Sequence, residues 1–424
     1  MPWLMDLLYL AAATVTAPVW LWRMNRTGKI RTDWRGRFGR IPDAAQGRLN
    51  ARSDGGGRPC ILIHAVSVGE VNAIRSLVDQ LANHQNQPHI VIATTTDTGY
   101  ARATSLWGDK HAVVRYPFDV SWAVNRLLNA VRPAVAVLVE LELWPNFTAA
   151  CRRRNIPVCV INGRLTERSF RRYKLIRGLI QPSFARITLA AVQNEQYAAR
   201  FRALGTAPNA VLVTGTMKWD TAGIADHVDG ADALAGEMGI DRTKLLVVAG
   251  STAPGEHELL VNAVPPGVQL LCAPRRPEWF DPAAAVLAGC ARRSRNDRGS
   301  TTGRFLLDTL GELRKAYALA DVVVIGRSFG QLHGSDMMEP VALGKATIVG
   351  PATADFQDTV DALLKDDGLM QTDAQRLPAV LKSLLDDPAR RNALASNGRE
   401  VIRQHQGATQ RHAEMIMSLL DQAA

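Results

Sequence analysis

Short apolar runs alternate with longer amphipathic stretches through the first half of the chain. The runs Cys60–Ala65, Ile90–Thr94, Ala112–Arg115, Ala134–Glu140, Pro157–Asn162, Thr188–Gln193 and Val211–Thr214 predict strands buried on both faces. Helix-length stretches such as Val71–Ala82 and Asn146–Arg154 lie between them. Strand, helix and strand in succession predict a parallel sheet covered by helices on both sides. A segment rich in Gly, Ala and Asp, Asp220–Asp241, reads as a linker, and the pattern then restarts. Leu245–Ala249, Val268–Ala273, Phe305–Leu307, Val322–Ile325 and Thr347–Val349 form the second strand set. Asn397–Gln422 reads as one long amphipathic helix that returns to the first domain. The expectation is two α/β domains facing across a cleft.

The first residues break this pattern. Residues 3–22 are twenty mostly apolar positions, long enough to span or enter a bilayer, interrupted by Asp6 and Pro18. Arg23, Arg26, Lys29, Arg31, Arg35, Arg37 and Arg40 follow. A cleaved signal peptide carries its charge before the apolar stretch, and this order instead predicts a retained anchor with the domains on the cytoplasmic side. The alternative is a buried first helix of a soluble domain. Ser53–Gly57 reads as a flexible turn.

Composition excludes a disordered chain: 47% of the 424 residues are hydrophobic and 21% charged. The formal charge of +10 sits in two patches. Residues 1–60 hold ten basic and four acidic residues, and residues 151–186 hold ten basic residues against Glu167. Such patches suit phosphate-rich partners. A nucleic-acid partner is not expected, because no stretch interleaves aromatic and basic residues as a stacking platform. Five cysteines without a CxxC motif predict a reducing compartment, and nine scattered histidines predict no protein-held metal.

Candidate chemistry clusters where strands end. His64–Glu70 (HAVSVGE) places Glu70 in the first turn of a helix after a buried strand. A carboxylate there is held ionised by the helix start and suits a general base; a plain helix-terminus charge partner fits equally. Glu140 and Glu142 end the next strong strand, with Pro145 placed to open a helix and Arg164 as one possible structural partner. Arg164, Arg168, Arg171 and Arg172 can fork onto phosphates or form a solvated face. In the second half, Gly250-Ser251-Thr252, Arg275, Gly326–Gly330 with Ser328, and Glu339 follow successive strands. Turns of this kind offer amides to an anion, and Glu339 could accept from the hydroxyls of a ribose. With no Walker A and no GxGxxG present, these turns favour a nucleotide site outside the NTPase and dinucleotide classes.

At these residues the chain resembles the 3-deoxy-D-manno-octulosonic acid (Kdo) transferases of lipopolysaccharide synthesis. The similarity runs through HAVSVGE (64–70), TTTDTG (94–99), YPFD (116–119), RPAVAVLVELELWPN (132–146), INGRLTERS (161–169), TGTMKWD (214–220), APRRPEWF (273–280), DTLGEL (308–313) and EPVALGKATIVGP (339–351). The resemblance implies a GT-B glycosyltransferase with two facing Rossmann-like domains and an N-terminal membrane-associated helix. Its layout would be helix and basic flank at 1–40, acceptor domain at 41–219, linker at 220–241, donor-nucleotide domain at 242–396 and returning helix at 397–424. It implies Glu70 as catalytic base, Glu142 and Lys218 toward the acceptor, and Arg275, Glu312 and Glu339 toward the donor; the arginine run adds Arg164 and Arg168 on the acceptor side, and the polar turns add Gly250, Ser251, Thr252 and Ser328 on the donor side. The implied donor is CMP-Kdo, the acceptor a lipid A precursor at the anionic inner (cytoplasmic) membrane surface, with no metal or other cofactor. The chain departs from the family at Gly326-Arg327, where Gly-Gly is usual, at Thr216-Met217 in place of Asn-Leu, and at His333–Met338 in place of a Gly-Gly-His-Asn-Pro-type loop. A binding protein with degraded catalysis and a different GT-B enzyme acting on a lipid acceptor are the competing readings.

Overall fold

A computed structural model describes residues 2–26, 32–54 and 58–423. The chain divides into two compact units, Met1–Thr221 with Gln406–Ala424, and Ala222–His405. Each unit carries one seven-stranded parallel sheet.

The first sheet contains β1 (Cys60–His64), β2 (His89–Thr94), β3 (Ala112–Arg115), β4 (Val135–Val139), β5 (Val158–Gly163), β6 (Leu189–Val192) and β7 (Val211–Val213), in the order β3-β2-β1-β4-β5-β6-β7. Every predicted strand of this half is present. The strands were legible because parallel strands covered on both faces are continuous apolar runs. β1 shows the consequence of the two-residue period. Ile61 and Ile63 enter one core with Leu77, Val137 and Ile416, whereas Cys60 and Leu62 enter the other with Leu127, Phe147 and Phe201. The order reverses between β1 and β4, whose registers run from Ile61 opposite Val135 to His64 opposite Leu138. Ligands of open α/β sheets bind at the carboxyl ends of the strands at such a switch point.

The second sheet contains β8 (Leu246–Thr252), β9 (Gln269–Pro274), β10 (Ala291–Arg292), β11 (Arg304–Leu306), β12 (Val322–Ile325), β13 (Ala346–Val349) and β14 (Met370–Gln371), in the order β10-β11-β9-β8-β12-β13-β14. Its switch point lies between β8 and β12. β10 and β14 escaped the sequence pattern because two residues carry no period.

Three sequence expectations change. The stretch read as linker contains the helix Ala231–Met238, which buries Ala231, Leu234, Ala235 and Met238 in the second unit. The single terminal helix is two helices, Pro388–His405 and Ala408–Ala423, broken where Gly407 takes a φ of +95°. Only the second belongs to the first unit, where Ile416, Met417 and Leu420 join the core and Asp220 accepts from the N–H groups of Gly407 and Thr409, both at 2.6 Å. Ser53 and Asp54 end the helix Asp43–Asp54 instead of forming a turn, and Gly55–Gly57 lie outside the described residues. The basic-flank positions Lys29 and Arg31 also lie outside them.

Candidate active site

β1 delivers its chain into a capping box. Ser67 accepts from the Glu70 N–H at 3.4 Å, while the Glu70 carboxylate folds back to accept from the Val66 N–H at 2.9 Å and the Ser67 hydroxyl at 3.0 Å. His64 is fully buried beneath this turn, stacked on Tyr116 with ring centroids 3.6 Å apart, and burial lowers its pKa to about 3. It is a neutral packing residue. Glu70 is both a helix cap and a half-buried carboxylate at the switch point, so the two sequence readings coexist.

β4 delivers the second group. Glu140 takes a φ of +61°, outside the glycine-free norm, and its N–H donates to Ile161 O at 2.9 Å. Glu142 accepts from the Trp144 indole N–H at 2.9 Å. Neither acid is ion-paired with Arg164. The helix Pro145–Arg153 has no side-chain cap from Trp144; Asp119 supplies it, accepting from the N–H groups of Asn146 at 2.9 Å and Phe147 at 2.8 Å. Asp119 ends the YPFD motif, but its capping role is not legible locally, because the N–H groups it receives lie more than 25 positions away.

Glu70, Glu140 and Glu142 repel one another. Burial is the largest influence on Glu70 and raises its pKa, with Glu140 adding to it against the opposing hydrogen bonds. The expectation that the helix start lowers this pKa is thereby reversed: desolvation outweighs the cap. Burial pushes Glu142 up to about 7, with Glu70 and Glu140 adding to the shift. A raised carboxylate is a stronger base, and one that titrates closer to neutral pH.

The other acceptor-side candidates lie on the surface. Arg164, Arg168 and Lys218 are exposed and form no ion pair among the described residues. Arg171 pairs with Glu167 at 2.9 Å, and Glu167 pairs also with the buried Arg200 at 2.9 Å. The helices Glu167–Leu175 and Arg177–Phe184 present Leu175, Ile176 and Leu179 to solvent beside these arginines.

In the second unit Glu256 stands six positions after Gly250, as Glu70 does after His64. The residue is 5% exposed, and its carboxylate accepts four backbone N–H groups: Ala253 at 2.9 Å, Arg327 at 2.8 Å, Ser328 at 3.0 Å and Phe329 at 3.1 Å. The amides expected to meet an anion in this loop are therefore already bound to a protein carboxylate. Glu70 makes no such bond to the loop after β4, which leaves its oxygens acceptor capacity that Glu256 has used. Arg327 sits at φ +60°, the left-handed region, where the family's usual Gly fits without strain.

Several donor-side expectations change in the same way. A Cβ on Gly250 would meet the Tyr317 hydroxyl at 2.0 Å, so this glycine makes room for the buried Tyr317. Thr252 is buried and its hydroxyl lies 2.9 Å from His257 Nε2. Ser328 is fully buried, with its hydroxyl accepting from the Gly350 N–H at 2.8 Å, and is not presented to a ligand. Glu312 accepts a two-pronged contact from Arg293 at 3.1 and 3.2 Å and a bond from Thr309 at 2.7 Å, which hold its pKa below the usual range. What remains open at the carboxyl end of this sheet is Ser251, half-buried at φ +57°, the exposed Arg275 after β9, and Glu339. Glu339 opens the helix Met338–Ala342, lies 3.5 Å from Arg314, and is raised in pKa by burial. Among the described residues no group of three or more His, Cys, Asp or Glu is placed to hold a metal ion.

Comparison with known proteins agrees with this architecture. The family model of 3-deoxy-D-manno-octulosonic-acid transferase (kdotransferase) matches residues 32–221. The chain is 32% identical over 376 residues to a 3-deoxy-D-manno-octulosonic acid transferase of Haemophilus influenzae, covering 85% of this chain and 87% of that one. It is 32% identical over 432 residues to one of Bordetella pertussis, covering 96% and 98%. Among solved structures, a UDP-GlcNAc 2-epimerase from Neisseria meningitidis aligns with a TM-score of 0.55 at 13% identity, covering 85% of this chain and 100% of that one. MurG of Acinetobacter baumannii aligns with a TM-score of 0.52 at 15% identity, covering 85% and 99%. These two share the GT-B fold. With two Rossmann-like units, a three-glutamate switch point and near-complete coverage at this identity, the chain belongs to the 3-deoxy-D-manno-octulosonic acid transferase family.

Proposed function

We propose that this protein is an inverting glycosyltransferase that moves Kdo from CMP-Kdo to a lipid A precursor in lipopolysaccharide synthesis. The observation that carries the reading is Glu70: a half-buried carboxylate at a sheet switch point, with raised pKa and spare acceptor capacity. Family membership supports Kdo as the sugar. In the proposed step an acceptor hydroxyl gives its proton to Glu70 as its oxygen bonds to the anomeric carbon of Kdo. The bond from that carbon to the phosphate oxygen breaks, and CMP leaves with the electron pair. Arg275 is suited to the phosphate charge and Glu339 to the ribose hydroxyls. Arg164, Arg168 and Lys218 are suited to the acceptor phosphates. Glu142 lies close enough to Glu70 to couple to its charge. The apolar helix Pro2–Arg26 supports association with the cytoplasmic face of the inner membrane.

The test is incubation of the purified protein with CMP-Kdo and a lipid A precursor, with product mass and anomeric configuration as readouts. Glu70→Gln retains the capping-box geometry, since Gln serves at that position, but removes the base. Turnover is expected to fall by at least roughly 10²-fold while CMP-Kdo binding persists. Near-normal turnover in this variant would refute the catalytic role, and no Kdo product from the wild type would refute the function.

A further inference from the structure

The helix Pro2–Arg26 is long and apolar enough to cross a membrane, yet its start is held on the first unit. Asp6 Oδ1 accepts from the Ser121 N–H at 2.9 Å and from Asn146 Nδ2 at 2.8 Å. The Tyr9 hydroxyl donates to Asp119 Oδ2 at 2.9 Å. Ser121 opens the helix Ser121–Val131, which has no side-chain cap of its own, so Asp6 provides that cap from a distant part of the chain. Asp119 in turn caps the helix Pro145–Arg153. The acid that interrupts the apolar stretch is thus an attachment point with defined partners.

The other end is tethered as well. Thr32 donates to Asp97 Oδ1 at 2.8 Å. Six Cα–Cα steps separate Arg26 from Thr32 and reach at most about 22 Å. A bilayer core is about 30 Å thick. If the helix crossed it with Asp6 and Tyr9 docked on the first unit, the chain could not return to Thr32. Both helix ends therefore belong on one side of a membrane.

Between these ends Leu7, Leu10, Val15, Val19 and Trp22 are exposed, Val15 by 80%. Next to the docking point, Trp122 stacks on Phe38 with centroids 5.3 Å apart, and Phe38 meets Phe118 edge-on at 5.6 Å; all three are exposed. A pocket of about 590 Å³ adjoins Phe38 and is lined by Arg35, Arg40 and Arg126. Apolar side chains, clustered aromatics and arginines around a pocket are the chemistry of an anionic membrane interface.

We infer that Pro2–Arg26 is an in-plane anchor, docked on the first unit through Asp6 and Tyr9, that enters one leaflet of an anionic lipid surface without crossing it. This rests on the membrane association proposed above. The test uses the full chain with Cys290→Ser, the other four cysteines being buried, on vesicles of phosphatidylglycerol and phosphatidylethanolamine. Pro2→Cys, Val15→Cys and Asn25→Cys are each probed from outside with a membrane-impermeant maleimide on protein recovered by flotation. The expected result is labelling at 2 and 25 and loss of labelling at 15 until detergent is added. Protection at 2 or 25 before detergent means that the helix spans, which overturns the inference and leaves membrane association standing. Free labelling at 15 means that the helix does not enter the lipid, which also overturns it. Failure to float removes the membrane association itself, and the inference with it.

Discussion

Glu256 offers the sharpest test of how the second unit is built. Its carboxylate accepts four N–H groups, three of them from the loop Arg327–Phe329 more than 70 positions away. Glu256→Gln preserves shape, but its amide can accept through only one of its two heavy atoms. Its NH₂ would face two N–H donors at the position where one carboxylate oxygen now accepts Ala253 and Arg327, or the other accepts Ser328 and Phe329. Leaving a buried donor unsatisfied costs about 1–3 kcal/mol, so for two donors a local loss of at least about 2 kcal/mol is expected. In the opening equilibrium of this loop that is a shift of roughly 30-fold or more. Hydrogen exchange at the Arg327, Ser328 and Phe329 amides reads it directly, with the amides of β1 in the first unit as an internal control. Glu256→Ala removes the acceptor of all three loop amides and should speed their exchange at least as much as the Gln variant, because the space it opens admits water to the freed donors. Exchange in the Gln variant within about threefold of wild type would refute the clamp, since even one lost buried acceptor predicts more. CMP-Kdo affinity should fall alongside the protection if this loop shapes the donor site.

Two further outcomes follow from the first unit. Glu142 has a folded pKa of about 7 against an ordinary value of 4.5, so the folded state holds a proton that the unfolded state has released between these values. Stability should fall as pH rises from 4.5 to 7 and then level, by up to about 3 kcal/mol, and Glu142→Gln should flatten that fall in urea midpoints measured across the range; an unchanged slope would refute the shift. Replacing Arg168, Arg172 and Arg177 by Gln should weaken binding to anionic vesicles and reduce its salt dependence, whereas Arg171, already paired with Glu167, should contribute less. Equal salt dependence before and after the triple change would make these arginines a merely solvated face.

Much of the architecture was legible because its signals are local. A strand covered on both faces must be apolar throughout, so β1 to β7 could be read from short runs, and a helix between parallel strands follows from the connection they need. The capping box at Ser67 and Glu70 was equally local, as were the acids at the end of β4. Gly407 marked a helix end that the longer amphipathic pattern obscured. Tertiary structure alone decided which polar groups remain open to chemistry. Glu70 and Glu256 occupy matching places after the first strand of each sheet, yet one retains free acceptor capacity and the other is spent on a distant loop. Ser328 looked like a ligand contact until the loop after β12 buried it against Gly350, Glu312 until Arg293 met it, and Asp6 looked like a flaw in an anchor until Ser121 and Asn146 received it. The physical reason is range. Hydrophobic periodicity and caps act within a few residues, whereas the partner of a buried charge is set by which crossover brings which loop to the same sheet edge.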